Sequence, residues 1–341
     1  MNQLNNAFTI FLSLLVEAMP FLLLGVLLSG LLLLFVDEGK LVAAMPRNPI
    51  LGAFVGSCVG FLFPVCECGN VPVARRLLMQ GVPLPVAIGF LLAAPTINPI
   101  VMWSTWIAFR DQPEILVLRI VFSLVIATII GCVFSVQGDP RPILQPAIVR
   151  AMPKLEKVDK APVAEEDKPL LLQSGTFLLG QSGQPRRMDA TVLQASLAAS
   201  TGKKPLPDRL NLLLENTVQE LRELGGVLVL GSAIAAAIQV LAPRELILGL
   251  GHGPITSIAA MMLLAGLISI CSTVDAFFAL SFASAFTSGS LLAFLVFGPM
   301  IDLKGIGLML SVFQARAVIY LFALAALLTF LLTLFINLHV S

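Results

Sequence analysis

Charge is scarce in this chain. Asp, Glu, Lys and Arg make up 12% of its 341 residues, they nearly cancel at a net charge of +1, and apolar residues reach 57%. A soluble domain carries about twice that share of charge, so a water-soluble globular fold is excluded. A nucleic-acid footprint is excluded as well, because it needs a concentrated basic surface. Histidine is nearly missing: His252 and His339 are the two in the chain, too few for a histidine-rich metal centre. No Walker A sequence, HExxH or GxSxG occurs, which removes the usual signatures of nucleotide-driven, zinc-hydrolase and serine-hydrolase chemistry. The five cysteines lie in or beside apolar runs, so a disulfide framework is not expected. Nothing in the sequence calls for a bound cofactor.

What fills the chain is hydrocarbon. A helix needs about 20 apolar residues to cross about 30 Å of bilayer. Runs near or above that length occupy Phe8–Val36, Pro83–Phe109, Ile115–Phe134, Leu224–Leu241, Ala276–Phe297 and Val318–Ile336, with shorter ones at Ile50–Phe63 and Thr256–Ile270. The first residues, MNQLNNAFTI, lack a basic n-region and a cleavage site, so the first run is expected to stay as a span. The expected fold is an all-α polytopic membrane protein with about 8–10 membrane segments, multi-pass in the inner (plasma) membrane, with the lipid bilayer as its main partner. Whether copies associate into a homo-oligomer stays open.

The few charges are unevenly placed. Residues 137–209 hold 19 of the 41 charged side chains, eleven of them basic. This stretch is expected to be a polar linker, cytoplasmic by the positive-inside tendency and largely disordered. It contains one apolar island, PLLLQSGTFLLG, suited to lying on the bilayer or on the core. The linker divides the chain into a first membrane repeat, 1–136, and a second, 210–341.

The term repeat rests on rare polar residues that align in order. Glu17 falls on Glu223 at an offset of 206, Cys66 on Cys271 and Asn70 on Asp275 at 205, Asn98 on Asp302 at 204, and Arg119 on Arg316 at 197. Such drift is small for two halves of a duplicated chain. Transporters built from repeats hold substrate near the midplane, between interrupted helices. The segment FPVCECGNVP, residues 63–72, reads as one interruption, and Asn70 before Pro72 and Asn98 before Pro99 read as N-caps of helices that restart. Asp275 and Asp302 take the matching places in the second half. Gly52, Gly56 and Gly60 are spaced for close helix packing.

The segments "FPVCECGNVPVARRLLMQGVPLPVAIGFLLAAPTINPIV" and "CSTVDAFFALSFASAFTSGSLLAFLVFGPMIDLK" resemble the paired signatures of a bacterial family of permeases that includes the ArsP-type organoarsenical efflux permeases. The resemblance implies an inner-membrane permease and, for the characterised branch, export of trivalent methylated arsenicals through cysteine thiols. In this sequence Cys66, Cys68 and Cys271 are the thiols placed to do so.

The residues themselves are compatible with two substrate classes. Cys66, Cys68 and Cys271 would make a soft sulfur site for a thiol-reactive metalloid. Helix N-termini at Asn70, Asn98, Asp275 and Asp302, with Arg119 and Arg316 nearby, would instead suit a small anion such as a sulfur oxyanion. Glu17, Arg119, Glu223 and Arg316 are the candidates for coupling or charge pairing, since ionisable groups within apolar runs are costly to keep. A membrane thiol oxidoreductase using Cys66 and Cys68 is the remaining reading; redox pairs favour Cys-x-x-Cys spacing. Cys58 and Cys132 are expected as small apolar filler, and Arg75 and Arg76 at the membrane interface.

Overall fold

The computed structural model describes residues 2–35, 45–46, 48–63, 66–136, 141–151, 177–179, 185–187, 206–241, 253–283 and 286–339. It is helical apart from a short antiparallel hairpin, β1 (Phe177–Leu179) with β2 (Pro185–Arg187), in which Phe177 faces Arg187. The rest of the apolar island lies outside the described residues.

In the first half, α1 (Asn2–Phe35) is followed by α2 (Pro49–Val59), whose last turn tightens into a 3-10 turn at Gly60–Leu62. A break then leads into α3 (Glu67–Met79), α4 (Leu84–Ile97), α5 (Pro99–Ala108) and α6 (Pro113–Ser135). A short α7 (Pro146–Ala151) follows. The second half runs α8 (Leu206–Leu241), α9 (Pro254–Ile268), a break, α10 (Asp275–Leu280), α11 (Ser288–Met300), α12 (Leu303–Leu310) and α13 (Ala315–His339).

Among the described residues, six segments are long and apolar enough to cross a membrane: Asn5–Leu31, Leu84–Ala108, Pro113–Ser135, Thr217–Val240, Ser288–Leu310 and Ala315–His339. Two of them are composite, since α4 passes into α5 at Asn98 and α11 into α12 at Asp302. α2 and α9 are apolar but shorter. The fifth apolar run does not form one span over Ala276–Phe297 as the sequence suggests. α10 stops at Leu280, and Thr287 opens α11 by accepting a hydrogen bond from the Ser290 N–H at 3.4 Å. Apolar content alone hides that restart, because Ser, Thr and Gly do little to lower hydropathy.

Polarity decides the layering. α3 is the least apolar of these helices, and all thirteen of its residues are buried; α4 is buried along its whole length too. α1, α6, α8 and α13 face outward and carry exposed large apolar side chains such as Val16, Val121, Leu230 and Phe335. That inversion is what a lipid solvent selects: hydrocarbon outside, charged groups inside. Arg75 and Arg76 follow from it. They are buried in α3 rather than interfacial, because neighbouring helices wrap that helix.

Helices in lipid gain nothing from mutual apolar burial, so close approach of small residues must hold them. The glycine series does this between α2 and α4. A Cβ at Gly60 would lie 2.6 Å from the Ala94 Cα, and one at Gly56 would run into the Val86 backbone. α1 lies against α8 and onto α3; α9 and α13 flank α11. Besides the α1–α8 contact, the halves meet where α11 touches α4 and α6, α10 touches α5, α12 touches α3, and α13 touches α6.

The chain just past the first half is packed rather than loose. Leu144 bridges to Phe313, and the Gln145 side chain donates to the Leu310 and Phe313 carbonyls at 2.9 and 3.1 Å. Residues 141–151 therefore dock beneath the end of α12, on the linker side of the boundary expected at 136.

Candidate functional site

Two helix breaks from opposite halves converge. Phe63, at the end of the 3-10 turn, is extended, and so is Cys66 (φ −78°, ψ −179°), which stands directly before α3. After α9 the backbone turns through Ser269 in the left-handed region (φ 51°, ψ 43°) and reaches Cys271 before α10. Donor atoms of Cys66, Glu67 and Cys271 all lie within 4.8 Å of one another, and all three residues are buried. The Cys66 thiol interacts with those of Cys271 and Cys68, and the Thr273 hydroxyl donates to the Cys271 Sγ at 3.5 Å. Cys68 is fully buried beside this cluster but is not one of the three converging donors.

Charge surrounds the thiols in a fixed pattern. Lys304, 1% exposed, holds its Nζ 3.8 Å from Glu67 Oε1 and 3.9 Å from Asp302 Oδ2, bridging a carboxylate of each half. Asp302 also caps α12, its Oδ1 accepting from the Gly305 N–H at 2.7 Å. Glu17, half-buried on α1, is close enough to contribute to the field at Lys304. Neither Glu67 nor Lys304 was singled out as a site residue from the sequence. The usable signal for Lys304 was a lysine two positions after an aspartate inside an apolar run, a costly placement without a reason.

A second buried charge pair joins α6 to α10. The Arg119 guanidinium donates to both Asp275 oxygens, at 3.2 and 2.6 Å, and to the Thr105 hydroxyl on α5 at 2.7 Å. A bidentate fork of this kind fixes orientation as well as charge. Further out, Arg75 meets Glu223 of α8 at 3.5 Å. Arg316, aligned with Arg119 in the sequence, is exposed on α13 and does not share this environment.

The expected caps divide. Asn98 caps α5, accepting from the Ile100 N–H at 2.9 Å, and Asp302 caps α12 as described. Asn70 is not a cap. α3 begins at Glu67, and Asn70 lies inside its first turns, fully buried, with both amide atoms lacking a hydrogen-bond partner among the described residues. Pro72 sits inside the helix, where its missing N–H leaves the Cys68 carbonyl without the usual partner four residues on. Asp275 is the first residue of α10, and its carboxylate goes to Arg119 rather than to its own helix end.

Beyond the Asp302 carboxylate, a cavity of about 330 Å³ opens between α9, α11, α12 and α13, lined by Met262, Phe297, Ile301, Phe322 and Ala326. It is apolar except at Asp302.

Apolar spans wrapped around a buried, charge-paired core with two facing interruptions define a multi-pass membrane protein of the solute-moving kind. The chain belongs to the predicted-permease family ArsP_1, which it matches over residues 3–338. It is 37% identical over 319 residues to the UPF0718 protein YcgR of Bacillus subtilis (strain 168), covering 94% of this chain and 92% of that protein. It is 31% identical over 310 residues to a putative two-component membrane permease complex subunit of Streptococcus mutans serotype c, covering 91% of this chain and 88% of the relative. No solved structure matches. The chain is thus a membrane permease of the bacterial inner membrane, and the family resemblance seen in its motifs holds over nearly its whole length.

Proposed function

We propose that this permease moves a small thiol-reactive solute, a trivalent organoarsenical being the example the family resemblance supplies, bound between Cys66 and Cys271 at the interface of two repeats. One observation carries the reading: two cysteines 205 positions apart, each at a helix break, place their sulfurs together in a buried site. Two adjacent thiols grip a soft element through bonds that an oxygen-lined path cannot offer. The repeat is supported by the element order, in which each half runs from a long helix through a short apolar one, a break at a cysteine and a restart capped at Asn98 or Asp302, to a last long helix.

The alternative, a small anion, has less behind it. Its obvious attractors are already occupied, with Arg119 forked onto Asp275 and Lys304 held between two carboxylates. A third element comes from the relative named as a subunit of a two-component complex: we extend to this chain a second subunit that works with it.

The test is uptake into vesicles, and thiol-dependent binding, for Cys66→Ser, Cys271→Ser and Cys68→Ser side by side. The first two should abolish binding of a trivalent arsenical at unchanged expression, because a hydroxyl replaces a polarizable sulfur in nearly the same volume. Serine variants at Cys66 and Cys271 that still bind and transport would end the thiol reading.

A further inference from the structure

We infer that Cys66, Cys271 and Glu67 form a site for a soft divalent cation of the zinc and cadmium class. The inference rests on the thiol reading above and adds a ligand to it. Two thiols and one carboxylate are the donors such ions take, whereas a trivalent arsenical bonds through sulfur and has no need of the carboxylate. A tetrahedral ion with metal–sulfur bonds of about 2.3 Å and metal–oxygen bonds of about 2.1 Å keeps its donors roughly 3.5–3.8 Å apart. Three donor atoms already within 4.8 Å of one another reach that spacing through small side-chain rotations.

An independent observation points to a cation as the ligand. Glu67 is 7% exposed, and its Oε2 has no hydrogen-bond partner among the described residues. Asn70, one turn along the same helix, presents an unpartnered, fully buried Oδ1. Buried acceptors ordinarily find partners, and the Glu67 Oε2 has none among the described residues although its carboxylate stands beside two thiols. Lys304, 3.8 Å from the other Glu67 oxygen, answers only part of that demand. The two thiols each release a proton to water as the ion enters, and the resulting thiolates offset its charge, so binding adds no net charge to a buried site. Three protein ligands leave the fourth position open. An open shell suits a carried ion, which must be able to leave; the closed four-ligand shells of structural zinc hold it permanently.

The experiment uses the purified full-length chain in lipid nanodiscs. It is titrated with Cd²⁺, read through the ultraviolet charge-transfer absorbance of cadmium–thiolate bonds, and separately with phenylarsine oxide, which bridges two neighbouring thiols without an oxygen ligand. One Cd²⁺ per chain is expected, lost in Cys66→Ser and Cys271→Ser and kept in Cys68→Ser. Glu67→Gln should weaken Cd²⁺ binding at least about tenfold while phenylarsine oxide capture is unchanged, which also shows that the variant still holds its thiols together. A measurement on the unaltered protein guards against a variant that misfolds: the chemical shift of the bound cadmium nucleus should be that of two sulfurs with oxygen. A three-sulfur shift, equal Cd²⁺ affinity with and without the Glu67 carboxylate, or a cadmium band surviving either serine variant overturns the divalent-ion site and leaves the thiol reading standing. Failure of the unaltered protein to capture phenylarsine oxide overturns both.

Discussion

Replacing Arg119 by Gln separates a structural ion pair from a counter-charge for substrate, and its cost can be worked from the geometry. Arg119 and Asp275 are 1% and 2% exposed, and the guanidinium donates to both oxygens of the carboxylate and to the Thr105 hydroxyl. Removing one member of a buried pair strands the other in a medium that cannot solvate it, a loss of about 3–5 kcal/mol. A Gln amide returns at most one neutral hydrogen bond, worth about 1 kcal/mol. The expected net destabilisation is therefore about 2–4 kcal/mol. Unfolding of the full chain in detergent measures it, with Asp275→Asn and the double variant closing the cycle. The double variant should recover much of the loss, giving a coupling of about 2–3 kcal/mol. Because the pair is neutral as a unit, the protein that does fold should bind thiol-reactive solute within a few-fold of the unaltered chain. A single variant costing under about 1 kcal/mol, or single-variant losses that simply add, would refute the pairing argument. A well-folded Arg119→Gln protein that no longer binds would move Arg119 into the substrate site.

Two other expectations use the same unfolding measurement. A Cβ at Gly25 would lie 2.5 Å from the Gly69 Cα, backbone that cannot step aside, so Gly25→Ala should cost about 1–3 kcal/mol by forcing α1 off α3; Gly226→Ala on α8 meets nothing within 4 Å and should gain about 0.5–1 kcal/mol. Lys304→Met leaves Glu67 and Asp302 without their shared ammonium and should sharply lower the yield of monodisperse protein. Adding Glu67→Gln should restore most of that yield, and a double variant no better than the single would show that Lys304 stabilises the fold by some other route.

What could be read from the sequence was what depends on neighbours in the chain. Apolar runs located five of the six membrane-length segments, the glycine spacing marked α2 for close packing without naming α4 as its partner, and Asn98 and Asp302 were legible as caps because the restart follows within three residues. Asn70 was misjudged by the same local rule: a proline two residues on suggests a helix start, yet Pro72 is tolerated inside α3, which begins at Glu67. Arg119 was recognised as needing a partner, but nothing within reach of it in sequence distinguishes Asp275 from the other acids. Lys304 was passed over as one letter of a motif; its meaning appears only when Glu67, from the other half, comes within 3.8 Å. Long-range charge pairing was the part the linear pattern could not encode.

The exchange of charges between halves also sets a clock. Arg119 and its carboxylate are 156 residues apart, and a ribosome adding about 5–20 residues per second delivers the second about 8–30 s after the first. During that interval the first half sits in the bilayer with an arginine that insertion scales charge at about 2.5–3.5 kcal/mol. No rearrangement within that half supplies Asp275, and a longer delay holds Glu67 apart from Lys304. Nascent chains are therefore most exposed to membrane proteases while the 137–209 stretch is being made, and a slow translation through that stretch lengthens the danger without changing the finished protein at all.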